Sequence, residues 1–386
     1  MRRWKAGEDW EEIGPLGQGG QSEVFLVRNS ARIAEREKHL GTLKELSGQS
    51  FNDFRAHQFT HAMLGYGREE NSSELGALKV YNPRAAGLAA EREALARLRI
   101  EIEVLGQNRR GLPKLLDSND SERWIVTEYF DGGTLEDNLS RYMGKPALAL
   151  TAFRSLVETV AALHKDNIFH RDIKPANVFL GNDGGLILGD FGIAFLPNLP
   201  ERLTFTNESV GPRDYMPPWA ETEDRLEQIG GNFDVYELGK LLWCMVAGRL
   251  KLTREWYTRP EFNLTAKFQN DPQMHMINAI LDKCLHESPD KCLPRASELL
   301  GVVDAHLSVM QRGGQMLREG VPRPCRVCGI GFYEPAGGPT SDQVLILQFG
   351  TPSITGNFAS WRQEGVLYVR NFVCNYCRNI ELFRAP

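Results

Sequence analysis

His170-Arg171-Asp172-Ile173-Lys174-Pro175-Ala176-Asn177, followed by Asp190-Phe191-Gly192, is the stretch on which the reading of this chain turns. Between the two motifs lie an apolar run (Val178-Phe179-Leu180), a polar turn (Gly181-Asn182-Asp183-Gly184-Gly185) and a second apolar run (Leu186-Ile187-Leu188). Two strand-forming runs joined by an Asn-Asp-Gly-Gly turn predict a β-hairpin. Such a hairpin brings Asp172, Asn177 and Asp190 to one end of a small sheet. Two acids and an amide oxygen form a hard-oxygen site, suited to Mg²⁺ and to a phosphoryl group in transfer.

Phosphoryl chemistry needs a phosphate cradle, and residues 10 to 28 supply a candidate. They read as strand, glycine-rich turn and strand around Gly17-Gln18-Gly19-Gly20-Gln21-Ser22-Glu23-Val24. Glycines let backbone N–H groups approach phosphate oxygens, although such a loop alone is more often an ordinary turn. A polar, partly helical stretch follows to about Glu74. Its His57 and His61 lack the glutamate of a His-Glu-x-x-His site and read as a solvated helical face. Ala77-Leu78-Lys79-Val80-Tyr81 predicts a strand with one lysine in an apolar setting. The plain alternative for Lys79 is a snorkelling surface lysine. Ala89 to Leu98 predicts a helix, and Trp124 to Phe130 another strand. Thr134-Leu135-Glu136 reads as a capped helix start. Beyond about Leu148 the pattern is helical: Phe153, Leu156, Val157, Val160 and Leu163 mark one helix, and later ones cover Phe233–Ala247, Met274–Leu285 and Ala296–Met310.

The length of 386 residues suggests two or three domains. Apolar content of 42% and charged content of 25% are those of a soluble globular protein. A net charge of −5 argues against a polyanion binder. Met1-Arg2-Arg3 leads into Trp4, Glu8 and Asp9 without an apolar segment, and runs such as Leu241–Ala247 are short for a bilayer. A cytoplasmic location without membrane contact is expected.

In this order and spacing the motifs resemble the eukaryotic-like (Hanks-type) serine/threonine protein kinases, over roughly residues 10 to 308. The resemblance implies an α+β, bilobal fold within residues 1–310. A β-rich N-lobe would cover about 10–130, with an insertion at about 29–74, and an α-helical C-lobe about 131–310. It implies ATP and Mg²⁺ as cofactors and a protein substrate, phosphorylated on Ser or Thr because Lys174 stands where tyrosine kinases usually differ. Autophosphorylation at Thr204, Thr206 or Ser209 would recruit Arg171. Gly17, Gly19 and Gly20 would cover the phosphates, and Ser22 replaces the third loop glycine. Lys79 would contact the α- and β-phosphates and pair with Glu93, or with Glu91, since a spacing of 14 is short. Val24, Ala77 and Phe179 would enclose the adenine, with Thr127 behind it and the backbones of Glu128 and Phe130 bonding the base. Asp172 would accept the substrate proton, Lys174 would neutralise the γ-phosphoryl, and Asn177 and Asp190 would hold Mg²⁺. Asp234 would brace the catalytic loop, and Arg295 would be structural. Pro212 and Trp219 depart from the acceptor-segment pattern; Glu221 could replace the missing glutamate. The alternatives are a pseudokinase scaffold and a kinase of small molecules. Retention of Lys79, Asp172, Asn177 and Asp190 argues against the scaffold.

Gln311-Arg312-Gly313-Gly314 and Val321-Pro322-Arg323-Pro324 predict a linker over 311–324. In 325–386, Cys325-x-x-Cys328 and Cys374-x-x-Cys377 form two knuckles. Two such pairs make a tetrahedral S₄ site for structural Zn²⁺ in a segment too short to bury much core, and the segment resembles a zinc ribbon. Residues 320–386 hold six arginines, no lysine and four acids. That favours protein docking, or bracing of the lobes, over nucleic acid for this module.

Overall fold

The computed structural model describes residues 3–5, 9–18, 22–47, 74–82, 87–182, 184–196, 214–220, 230–269, 271, 273–318, 333–335, 345–355, 358–374 and 380–384. Gly19, Gly20, His57, His61, Thr204, Thr206, Ser209, Pro212, Glu221, Cys325, Cys328 and Cys377 lie outside these residues.

The chain divides into two compact units. One comprises 1–137 and 162–215, the other 138–161 and 216–386. In the first, β1 (Arg3–Lys5), β2 (Asp9–Gln18), β3 (Ser22–Asn29), β4 (Leu75–Tyr81), β5 (Leu115–Asn119) and β6 (Trp124–Glu128) form one sheet in the order β1-β2-β3-β4-β6-β5. All its pairs are antiparallel. Alternation sorts its side chains. Val27, Leu78, Val80, Trp124 and Val126 join Trp10 in a fully enclosed core on one face. Val24 pairs with Lys79, Leu26 with Ala77, and Ala77 with Thr127, so these residues share the other face. Gly76 lets the strands close over this core, because a Cβ there would stand 2.4 Å from Val126 Cγ1.

Helix α1 (Ser30–Ser47) opens the expected insertion, and α2 (Leu88–Leu105) follows β4. The predicted helix at Thr134 is instead a turn, closed by Thr134 Oγ1 on Asp137 Oδ2 at 2.7 Å, before a short 3₁₀ segment at Leu139–Arg141. Strands β7 (Val178–Leu180) and β8 (Leu186–Leu188) form the predicted hairpin, with Val178 opposite Leu188.

Helix α3 (Pro146–Lys165) is long and apolar enough in composition to cross a membrane, which the short-run reading overlooked. Its Phe153, Leu156, Val157 and Val160 are fully buried, as in the core helix of a globular domain. The helical part continues with α4 (Gly231–Ala247), α5 (Leu264–Lys267), α6 (Met274–Cys284) and α7 (Ala296–Arg318). Nearly all of α4 is buried, including Asp234, Glu237 and Lys240. Lys240 Nζ donates to the carbonyls of Leu252 and Arg254 at 2.7 and 2.6 Å. Helix α7 passes through the start of the expected linker. Gly313 and Gly314 each cost a helix about 1 kcal/mol, but Gln315 to Arg318 are good helix formers and no proline intervenes before Pro322.

The C-terminal segment is a second sheet. Strands β10 (Leu345–Thr355) and β11 (Phe358–Cys374) form a hairpin, and β12 (Ile380–Arg384) pairs with β11. β9 (Tyr333–Pro335) pairs with the end of β11. Pro352 is tolerated because β10 is an edge strand.

Candidate active site

The hairpin β7–β8 positions the site. Gly189 N–H donates to Asn177 O at 2.9 Å, which sets Asp190 beside Asn177. His170 is fully buried beneath them. Its Nδ1 accepts from Asp172 N–H at 3.2 Å, so Nε2 carries the proton and donates to Gly189 O at 3.0 Å. Phe191 packs edge-on against the same ring at 4.6 Å. His170 thereby ties the Asp172 segment to the Asp190 segment through one side chain. Arg171 and Asp190 adopt left-handed φ angles of 65° and 62°. Such conformations are uncommon outside glycine and concentrate at functional sites. The Arg171 guanidinium lies 4.7 Å from the Phe195 ring centroid.

Asp172 is nearly buried and held from two sides. Lys174 Nζ donates to Oδ1 and Oδ2 at 2.9 and 2.7 Å. Asn177 Nδ2 donates to Oδ2 and to the Asp172 carbonyl, both at 2.8 Å. Burial raises the Asp172 pKa, with the Lys174 ammonium opposing it and the Asp190 charge adding to the rise. With its amide nitrogen committed, Asn177 offers Oδ1 as an acceptor. Asp190 keeps 44% of its side-chain surface exposed. An amide oxygen and an accessible carboxylate are the donor types that Mg²⁺ takes.

Lys79, on β4, bridges two carboxylates: Asp190 Oδ1 at 2.7 Å and Glu101 Oε2 at 2.9 Å. Burial opposes its charge, yet Asp190 and Glu101 outweigh burial and raise its pKa well above the usual value. Burial alone would raise Asp190 as well, but the Lys79 ammonium holds it far below the ordinary carboxylate range.

Glu101 corrects the expected partner. Glu93 bonds Arg97 at 2.8 Å, one turn along its own helix, and Glu91 is exposed at the start of α2. Glu101 lies eight residues beyond Glu93, about 12 Å further along the axis. The short Lys79-to-Glu93 spacing was one signal. A second was an acid at 101 in the stripe of Ala94, Leu98 and Leu105, all of which are buried. Tyr81 was also missed. It is buried, and its hydroxyl donates to Glu101 Oε2.

Phe179, half-buried, stacks on Phe130 with centroids 5.8 Å apart. Gly189 makes room for its ring, since a Cβ there would approach to 2.6 Å. Glu128 N–H is committed to Lys114 O at 2.9 Å, whereas Phe130 N–H donates to no acceptor among the described residues. Gly17 opposes Val24 at the turn of β2 and β3. Trp219, at the atypical acceptor segment, is buried edge-on against Tyr236 at 5.4 Å, and Tyr236 hydroxyl donates to Glu255 Oε1 at 2.6 Å. Cys374 ends β11; among the described residues no group of three His, Cys, Asp or Glu side chains is arranged to hold a metal.

Residues 66–300, more than half of the chain, match the protein kinase domain family. The match begins beyond the glycine-rich turn, which the insertion separates from the rest; the pairing of β3 with β4 unites them. Serine/threonine-protein kinase cds1 of Schizosaccharomyces pombe is 30% identical over 260 residues, covering 62% of this chain and 55% of that protein. CBL-interacting protein kinase 16 of Oryza sativa subsp. japonica is 30% identical over 206 residues, covering 52% and 44%. Serine/threonine-protein kinase PknL of Mycobacterium tuberculosis is 30% identical over 181 residues, covering 46% and 44%. The chain thus spans about half or less of the length of these relatives. With the matched region enclosing the Lys79, Asp172, Asn177 and Asp190 cluster, this chain belongs to the protein kinase domain family.

Proposed function

We propose that the chain is an ATP- and Mg²⁺-dependent protein serine/threonine kinase. The observation that carries this reading is the bridge from Lys79 to Glu101 and Asp190, together with Asp172 held by Lys174 and Asn177. Asn177 and Asp190 would hold Mg²⁺, which when bound offsets charge on the phosphates. Lys79 orients the α- and β-phosphates, with Glu101 keeping the ammonium in place. Asp172 directs the acceptor hydroxyl toward the γ-phosphorus and takes its proton at a carboxylate oxygen. Lys174 stands where charge builds on the transferred group. Phe179 and Phe130 offer an aromatic floor to adenine, and the Phe130 N–H a donor to its edge. The serine/threonine kinase names of the relatives support a hydroxyl on a protein as acceptor.

The test is incorporation of label from γ-labelled ATP into the chain itself and into a generic protein, beside Asp172→Ala. Label in the wild type and at least about 100-fold less in the variant is expected. Phosphopeptides containing Thr204, Thr206 or Ser209 would establish autophosphorylation. Equal incorporation in both proteins, or none in either, would refute the proposal.

Cys325, Cys328, Cys374 and Cys377 are proposed to hold a structural Zn²⁺, making 325–386 a docking module for a protein partner. Sheet register supports the metal. Tyr333, five residues after Cys328, pairs with Cys374, and Ile380, three after Cys377, pairs with Val373. Tyr333 and Ile380, the described residues that follow the two knuckles in the chain, therefore both pair at one end of β11. Four thiolates there suit Zn²⁺ better than a hard cation.

A further inference from the structure

We propose that Tyr81 is a positioning residue for phosphoryl transfer, its hydroxyl fixing Glu101 so that Lys79 is held in the site; this rests on the kinase reading above. Lys79 and Tyr81 are two apart on β4 and so share a face. Glu101 is only 3% exposed, and a buried carboxylate needs donors. Among the described residues two donors reach it, both at the same oxygen: Lys79 Nζ at 2.9 Å and the Tyr81 hydroxyl. The phenol ring in turn lies against the ammonium, with Nζ 4.9 Å from its centroid. The Tyr81 hydroxyl and Cε1 also stand 3.5 and 3.8 Å from where a Cβ of Gly192 would be. One side chain therefore contacts the lysine and its glutamate and lies beside the segment that carries Asp190.

The geometry has a consequence for Lys79. Its ammonium is shared between Glu101 and Asp190, so Glu101 competes with Asp190 for it. A neutral donor on Glu101 stabilises that carboxylate where it stands, without adding a charge that would compete with the phosphates. Burial raises the phenol pKa well above its ordinary value, with the Glu101 charge adding to the rise, so the hydroxyl stays a donor. A phenylalanine would fill the same space and donate nothing. If Tyr81 served only as core, Tyr81→Phe would be silent and only Tyr81→Leu would show an effect.

The experiment compares wild type, Tyr81→Phe, Glu101→Gln and the double variant in the full-length protein. Tyr81→Phe is expected to lower kcat/KM for ATP about 10-fold, equivalent to about 1.4 kcal/mol, in protein that remains folded at the assay temperature. Because the hydroxyl acts through the carboxylate, the double variant should match Glu101→Gln within about 2-fold. A Tyr81→Phe activity within about 2-fold of wild type, or losses that multiply in the double variant, would overturn the inference. Affinity for Mg·ADP, measured by calorimetry, requires no turnover and should weaken about 3-fold in Tyr81→Phe. A wild type that binds Mg·ADP but transfers no phosphate would refute the kinase reading, while the calorimetric comparison would still decide the role of Tyr81; an unchanged affinity there counts against it.

Discussion

Glu101 and Glu93 sit on one helix, each within reach of a cation, yet their pairs differ in consequence. Glu93 has 37% of its side chain exposed and bonds Arg97 at i+4, a type of pair worth about 0.3–0.5 kcal/mol. Glu101 is enclosed and shares the Lys79 ammonium with Asp190, so replacing it leaves that ammonium to Asp190 alone and unanchored from the helix. Glu101→Gln is therefore expected to lower kcat/KM for ATP about 100-fold, whereas Glu93→Gln should stay within about 2-fold of wild type. Steady-state kinetics on the two variants checks this, and a larger loss from Glu93→Gln would reinstate the sequence expectation. At this scale, residues fixed by short-range chemistry were legible. His170 to Asn177 and Asp190 to Gly192 are contiguous motifs joined by a hairpin that two apolar runs announce. The partner of Lys79 was not legible, because helix register relative to a distant strand is set by packing.

Helix packing shows the same division between local and tertiary control. Gly239 lies in the middle of α4, where alanine would be favoured by about 0.8–1.0 kcal/mol on helix propensity. A Cβ at Gly239 would stand 2.5 Å from Cys284 Cβ on α6 and 3.1 Å from Leu285 Cδ2. Those atoms belong to a buried helix end and cannot swing away as a flexible tip would. Overpacking of this kind costs about 1–3 kcal/mol. Gly239→Ala is thus expected to destabilise the protein on balance, with a lower denaturant midpoint and a little-changed m-value. A raised midpoint would show that α4 and α6 separate more readily than their contact implies. Periodicity located α2, α3, α4 and α6 because apolar stripes persist over several turns. It ended α7 too early because two glycines outweighed the helix formers after them. Strands β10 and β11 carry Gly350, Pro352, Gln363 and Gly365 in their middle sections in place of an alternating pattern. Pairing between long neighbours, set by the register from Leu345↔Val369 to Thr355↔Phe358, sustains those strands where residue preference does not.

For the molecule as a whole, the two sheets rest on different sources of order. The sheet β1–β6 has an enclosed face built on Trp10, Leu78, Trp124 and Val126, and is expected to hold its structure by burial. The C-terminal segment of about 60 residues is in the size range where metals or disulfides commonly supplement a small core. Tyr333 and Ile380, the described residues that follow the two cysteine pairs in the chain, both pair near the Cys374 end of β11, where the proposed ion would clamp three strands. A structural Zn²⁺ couples directly to folding, since the site does not survive unfolding. Protein purified without chelator should therefore carry about one zinc per chain. Removing the zinc should abolish amide protection in β10 to β12 while leaving α4 and α6 protected, as followed by hydrogen exchange with and without chelator. Cys374→Ser should reproduce the chelated pattern in the untreated protein. Zinc-free protein that retains protection throughout β11 would mean that strand pairing alone holds the module, and the four thiols would need another purpose.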